Sequence, residues 1–209
     1  MGGASLQRSI DMTFSELYET VSHFGFDTDL EDFKSQFIDA ANRGFKQVTR
    51  RFPRMGEKRY ILEEKDRQNG MVLVNVKDLV NGVHGGEYAS LPENPVRTMN
   101  GELFRNDQYR LFNRDTILFL PKAVNGEYII DYVKRAPKFN LDSFNKDMDI
   151  DLDDDLCEAL ALYCAYYVLL EENAELASAY YARYTEMMSE IILTKPTHTP
   201  NGYRIDKGW

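Results

Sequence analysis

Residues 152–188 read LDDDLCEALALYCAYYVLLEENAELASAYYARYTEMM. Leu152, Leu156, Leu160, Tyr163, Tyr167 and Leu170 recur at spacings of 4, 4, 3, 4 and 3, the period of one helix face. Cys157, Ala161, Cys164, Ala165 and Val168 form a second apolar face. A helix apolar nearly all round must be buried on several sides. Glu171-Glu172-Asn173 breaks the pattern, and Asn173 is suited to cap a second helix. Ala177, Tyr180, Tyr181, Tyr184, Met188, Ile191 and Ile192 mark that helix. So short a connection predicts an antiparallel helical hairpin.

The N-terminal third supplies two further helices. Thr13-Phe14-Ser15-Glu16 has the form of a capping box, and Phe14, Leu17, Val21 and Phe24 come after it at helical spacing. Gly25 ends that helix. Thr28 and Glu31 repeat the device ahead of Leu30, Phe33, Phe37, Ala41, Phe45 and Val48, with Pro53 and Gly56 as stops.

The middle of the chain reads as β structure. Residues 59–63 and 71–76 are short strand-like runs, and 81–102 is a long loop rich in Gly, Asn and Pro. Residues 108–112, 116–120 and 127–134 then predict a small antiparallel meander, with Asn125-Gly126 as a turn before its last strand. The fold class expected is α+β. N-terminal helices (13–56) and the C-terminal hairpin (141–194) form a bundle, and a β part (57–140) is inserted between them. A flexible start (1–12) and an extended C-terminal tail (195–209) flank these parts.

Composition narrows the function. Thirty-four acidic against 25 basic residues give a net charge of −9. Tight nucleic-acid binding needs cations for phosphate, so the balance argues against it without excluding a surface that DNA passes. No apolar run is long enough to span a bilayer, and residues 1–12 lack the apolar centre of a secretory leader. Cys157 and Cys164, on one face about 10 Å apart along a helix, are too distant for a disulfide and read as buried thiols. With His23, His84 and His198 scattered, no zinc set forms.

Catalytic and metal signatures are weak. The sequence contains no G-x-S-x-G, H-E-x-x-H or G-x-x-x-x-G-K. Asp147, Asp149, Asp151, Asp153, Asp155 and Glu158 have the spacing of a calcium loop, but its sixth position is Leu152 where a Gly is required. The same acids suit the positive end of a helix dipole, which is the reading preferred here. No cofactor and no metal site is expected. Arg43, Lys46 and Arg50 fall on one face of the second helix, a solvated or salt-bridged face, a contact for an acidic neighbour or, last in order, for DNA phosphate. The last residues, KPTHTPNGYRIDKGW, carry the chain's one Trp. Aromatics in so irregular a segment suit docking onto another surface, the reading preferred over a disordered end or packing back on its own domain.

The element order, the opening MTFSELYETV, the strand pair TILFLPKAVNGEYIIDYVKRAP and the helical stretch quoted above together resemble head–tail adaptor proteins of tailed bacteriophages. These are also called head-completion or neck ring proteins, and the likeness is to those of short-tailed and crAss-like phages. It runs over about residues 12–193 as a pattern of order and texture.

The resemblance implies a non-enzymatic structural role in the virion neck, assembled in the host bacterial cytoplasm. Such adaptors form a cyclic ring, usually twelve-fold, beneath the portal protein. They extend the DNA channel, help retain the packaged genome and meet other neck or tail proteins, with DNA passing unread and no membrane involved. On this reading Lys195, Tyr203, Arg204, Ile205 and Trp209 dock on the portal. His84, Tyr88, Leu91 and Arg97 belong to a contact loop toward the tail or a neighbour. Opposite charge alone, apart from the resemblance, pairs Arg43, Lys46 and Arg50 of one copy with Asp151, Asp153 and Asp154 of the next. The competing expectation is a bacterial regulatory or calcium-responsive helical interaction module.

Overall fold

A computed structural model describes residues 12–24, 34–82, 86–103, 107–146 and 148–194. In chain order it contains α1 (Phe14–Ser22), α2 (Lys34–Arg51), β1 (Met55–Leu62), β2 (Val72–Asn75), α3 (Val76–Asn81), β3 (Tyr88–Ser90) and β4 (Val96–Thr98). After these come β5 (Tyr109–Asn113), β6 (Thr116–Phe119), β7 (Gly126–Lys134), α4 (Asp142–Asn145), α5 (Asp154–Leu169) and α6 (Ala174–Thr194). The chain divides into two compact units. One takes the described residues up to Arg51 with those from Pro137 onward, the other Phe52–Ala136.

This corrects the expected fold class. Among the described residues the chain is mixed α/β, with six helices and seven strands in two antiparallel sheets. It is not a helical-hairpin bundle carrying one small meander.

In the helical unit α5 is the central element. It packs on α1, α2 and α6, and that is what buries an apolar surface running nearly all round it. The helix α6 buries only a stripe of Ala177, Tyr184, Met188 and Ile191. The Thr13 capping box forms as expected, with Glu16 N–H donating to Thr13 Oγ1 at 3.2 Å and Thr13 N–H to Glu16 Oε2 at 2.8 Å. The second expected box, Thr28 and Glu31, lies outside the described residues.

Close approach of α2 to α5 depends on Gly44, where an added Cβ would stand 2.6 Å from Tyr163 and 2.7 Å from Leu160. Phe139 is buried, stacked on Phe14 at 4.5 Å and edge-on to Phe45 at 5.6 Å. Its backbone is held at both ends by Asn42, which accepts from Phe139 N–H at 2.9 Å and donates to Phe139 O at 3.0 Å.

In the β unit the predicted meander is split between two sheets. The pair β5 and β6 joins β2, in the order β2-β6-β5. The nine-residue β7 leaves it to pair with all eight residues of β1, and with β3 and β4 on its other edge. The link from Leu120 to Asn125 is too long for a tight hairpin, and Arg67 fixes its course. Arg67 donates to Ala123 O at 2.5 Å, to Asn125 Oδ1 at 2.8 and 3.1 Å and to Gly70 O at 2.8 Å.

The stretch expected as a bare loop, 81–102, contains β3 and β4. One apolar core joins both sheets. Leu62, Val74, Val96, Ile117, Phe119 and Ile130 belong to it, with Tyr88, Tyr109, Tyr128 and Tyr132 among them. Gly56 lies opposite Tyr132, whose ring leaves only 2.4 Å to an added Cβ.

Candidate functional site

The acid run of the calcium-like spacing is used structurally. Phe14 N–H donates to Met148 O at 2.8 Å and Ile150 N–H to Met12 O at 2.7 Å, so 148–150 lies antiparallel to 12–14. Ile150 and Leu152 are buried. Asp153 is the N-cap residue of α5, with Asp154 and Asp155 in its first turn, where carboxylates meet the helix dipole. Asp147 lies outside the described residues. Among the described residues no group of three or more His, Cys, Asp and Glu is placed to hold a metal ion. Cys157 and Cys164 are both free and buried, and burial pushes the Cys164 thiol well up, away from the reactive thiolate.

Charge on the helical unit is distributed unevenly. Arg43, Lys46, Arg50 and Arg51 are exposed along α2 within nine residues of sequence. No ion pair reaches any of the four among the described residues. Arg43 lies over the Tyr167 ring at 5.2 Å, and Gln47 donates to Tyr163 Oη at 3.2 Å. The basic face of α2 therefore borders the tyrosines of α5 and α6, where Tyr163 and Tyr184 meet at 5.4 Å and Tyr166 and Tyr181 at 4.7 Å. An acidic surface lies elsewhere on the unit. Glu16, Glu19 and Asp154 line an open groove with Met12, Thr20 and His23. Asp151, Asp153 and Asp154 are exposed beside it in sequence. The structure thus gathers Arg43, Lys46 and Arg50 on one face, with the three aspartates around the start of α5.

The expected contact loop is largely committed to its own unit. Tyr88 is buried at 2% exposure and donates to Arg114 O at 3.0 Å. Leu91 packs against the core. Arg97 forks onto Asp131 at 2.8 and 2.8 Å and also pairs with Glu57. This ion cluster lies across β1, β7 and β4, in a register that sets Arg97 against Ile129 and Glu57 against Asp131. His84 lies outside the described residues. Around the turn after β4, Met99 within that stretch and Leu103 just beyond it are exposed apolar side chains. The sequence reading did not single these out. The visible signal was Thr98-Met99-Asn100-Gly101, a turn with an apolar residue at its tip.

The smaller sheet carries another surface that the sequence reading passed over. Leu73 is opposite Leu118, which is opposite Arg110, so the three share a face. Leu73 is 58% and nearby Phe112 65% exposed. Alternation of buried Val72 and Val74 with exposed Leu73 on β2 was the available sign. Lys195, Tyr203, Arg204, Ile205 and Trp209 lie outside the described residues. The helix leading toward them, α6, ends in exposed Ile192 and Leu193.

Among the described residues no helix is long and apolar enough to cross a membrane. No protein-family model matches the sequence, and no curated protein matches it.

Proposed function

We propose that the chain is a structural virion protein, a head–tail connector adaptor that forms a cyclic ring under the portal of a tailed bacteriophage. In the neck it extends the DNA channel, helps retain the packaged genome and joins the tail. It performs no catalysis in this role. Beside the sequence resemblance, one observation carries the reading: four exposed cations, without an ion pair among the described residues, lie on α2, while exposed carboxylates cluster around α1 and the start of α5. A cyclic ring needs a heterologous contact, in which one surface of a copy meets a different surface of the next. Opposite charge on two such surfaces of one unit suits that contact and selects its register. Arg43, Lys46 and Arg50 of one copy then face Asp151, Asp153 and Asp154 of its neighbour. Tyr203, Ile205 and Trp209 supply aromatic and apolar anchors to the portal, with Lys195 and Arg204 beside them.

The test is co-expression with portal proteins of short-tailed and crAss-like phages, imaged by electron microscopy, with a chain ending at Leu193 alongside. The expected result is a ring seated on a portal by the full chain and lost without the tail. A ring that seats equally well without the tail removes the anchor residues. No ring on any portal removes the adaptor reading.

A further inference from the structure

Asn-Gly occurs five times: at 69–70, 81–82, 100–101, 125–126 and 201–202. In this dipeptide the glycine nitrogen can attack the asparagine side chain. The attack requires a carboxamide free to swing, a glycine N–H not held elsewhere, and access to water. Four of the pairs fall among the described residues, and three of those are restrained. Asn81 Oδ1 accepts from Gly86 N–H at 3.3 Å and Tyr88 N–H at 3.1 Å, while Gly82 N–H donates to Asp78 O at 2.9 Å. Asn125 Oδ1 accepts from Arg67, and its Nδ2 donates to Glu64 Oε2 at 3.0 Å. Asn100 is exposed, but Gly101 N–H donates to Thr98 O at 2.9 Å.

Asn69-Gly70 differs from all three. It forms a two-residue turn with φ of 53° and 77°, closed by Gln68 N–H to Met71 O at 2.8 Å and Met71 N–H to Gln68 O at 3.1 Å. Both residues have the left-handed backbone that such a turn requires. Asn69 is exposed, and among the described residues no hydrogen bond uses its carboxamide or the Gly70 N–H. Only the Gly70 carbonyl is engaged, by Arg67.

The geometry points to Asn69 as a site of self-modification, at which the chain deamidates with water as the only co-reactant. A base removes the Gly70 amide proton, and the nitrogen forms a bond to Asn69 Cγ. The bond from Cγ to Nδ2 breaks, and the nitrogen leaves as ammonia after gaining a proton. Water then opens the cyclic imide at either carbonyl, giving aspartate or isoaspartate at position 69. No atom changes oxidation state. Either product adds a carboxylate beside Arg67. Isoaspartate also adds a methylene to the main chain of a two-residue turn, which breaks the Gln68–Met71 pairing between β1 and β2. The inference is independent of the adaptor reading.

The test incubates the full chain in mildly alkaline buffer and tracks each Asn-Gly peptide by mass spectrometry and isoaspartyl methyl labelling. The peptide holding Asn201 is scored separately. Position 69 is expected to convert first of the four. Asn100, restrained by one hydrogen bond, converts about fivefold more slowly, and Asn81 and Asn125 more slowly again. In urea the four rates converge. Asn69→Gln abolishes the label at 69 and leaves the other sites unchanged. Conversion at Asn81, Asn100 or Asn125 as fast as at 69, or the same ranking in urea, overturns the assignment.

Discussion

Replacing Arg97 with alanine removes two 2.8 Å charge-assisted bonds to Asp131 and the pairing with Glu57. The Arg97 and Asp131 side chains are 23% and 17% exposed, so solvent screens the pair only in part. A hydrogen bond to a charged group contributes about 1.5–3 kcal/mol, and an exposed ion pair below about 1, so a half-shielded fork stands near 2 kcal/mol. For a domain of the size of the β unit, that loss lowers Tm by about 10 °C. The assay is thermal and urea unfolding read by circular dichroism and tyrosine fluorescence, in low and high salt. Arg97→Lys keeps the charge but loses the fork, and is expected to fall between wild type and Arg97→Ala. The double-mutant cycle with Asp131→Asn isolates the pair itself. If Arg97→Ala unfolds within about 0.5 kcal/mol of wild type yet fails to assemble, Arg97 is a contact residue after all and the reasoning is refuted.

Gly44→Ala sets a methyl against Tyr163 and Leu160, and overpacking should cost about 1–3 kcal/mol despite the gain in helix propensity, read by urea denaturation. Alkali should unfold the β unit. Burial, helped by a hydrogen bond to Glu87, pushes the Tyr132 hydroxyl up to about 12, and burial with the nearby Glu93 carboxylate does the same for Tyr109. A free tyrosine titrates near about 10, so the unfolded chain releases these protons first. The stabilisation is complete below that pH and is lost as pH rises through 10 toward 12, a trend that phenolate absorbance and circular dichroism should show together. Arg50→Glu and Asp154→Lys should each block ring assembly and together restore it, as scored by sedimentation of the portal complex; no rescue by the pair removes that contact. Added calcium should leave Tm unchanged, because the stretch 149–155 is taken up by pairing with residues 12–14 and by the start of α5. A rise of several degrees would contradict this.

Local signals were the readable ones. The Thr13 cap bonds its own turn, and the face of α5 repeats within 16 residues, so both show in a short window. Strand partners were not readable in this way. The three-residue strands β3 and β4 exist because the long β7 offers them its free edge, a pairing reaching from 88–98 to 128–134. For the same reason the meander seemed continuous: nothing near Asn125 reveals that Arg67, far back in sequence, draws the link across to the other sheet. Tyr88 and Arg97 looked available for contact because a Gly- and Pro-rich stretch resembles a surface loop. Their burial and pairing depend on Arg114, Asp131 and Glu57, none of them local. The all-round apolar α5 is buried as its pattern requires, at the centre of its own unit. With that apolar surface used inside the unit, the proposed ring contact rests on charge, on α2 and around the start of α5.

Native mass spectrometry of the full chain with portal proteins of short-tailed and crAss-like phages tests the adaptor reading most directly. The account predicts one complex with one copy of this chain per portal subunit, and a ring coaxial with the portal in micrographs of the same sample. Portal rings of unchanged mass, beside a chain that stays monomeric, would contradict it.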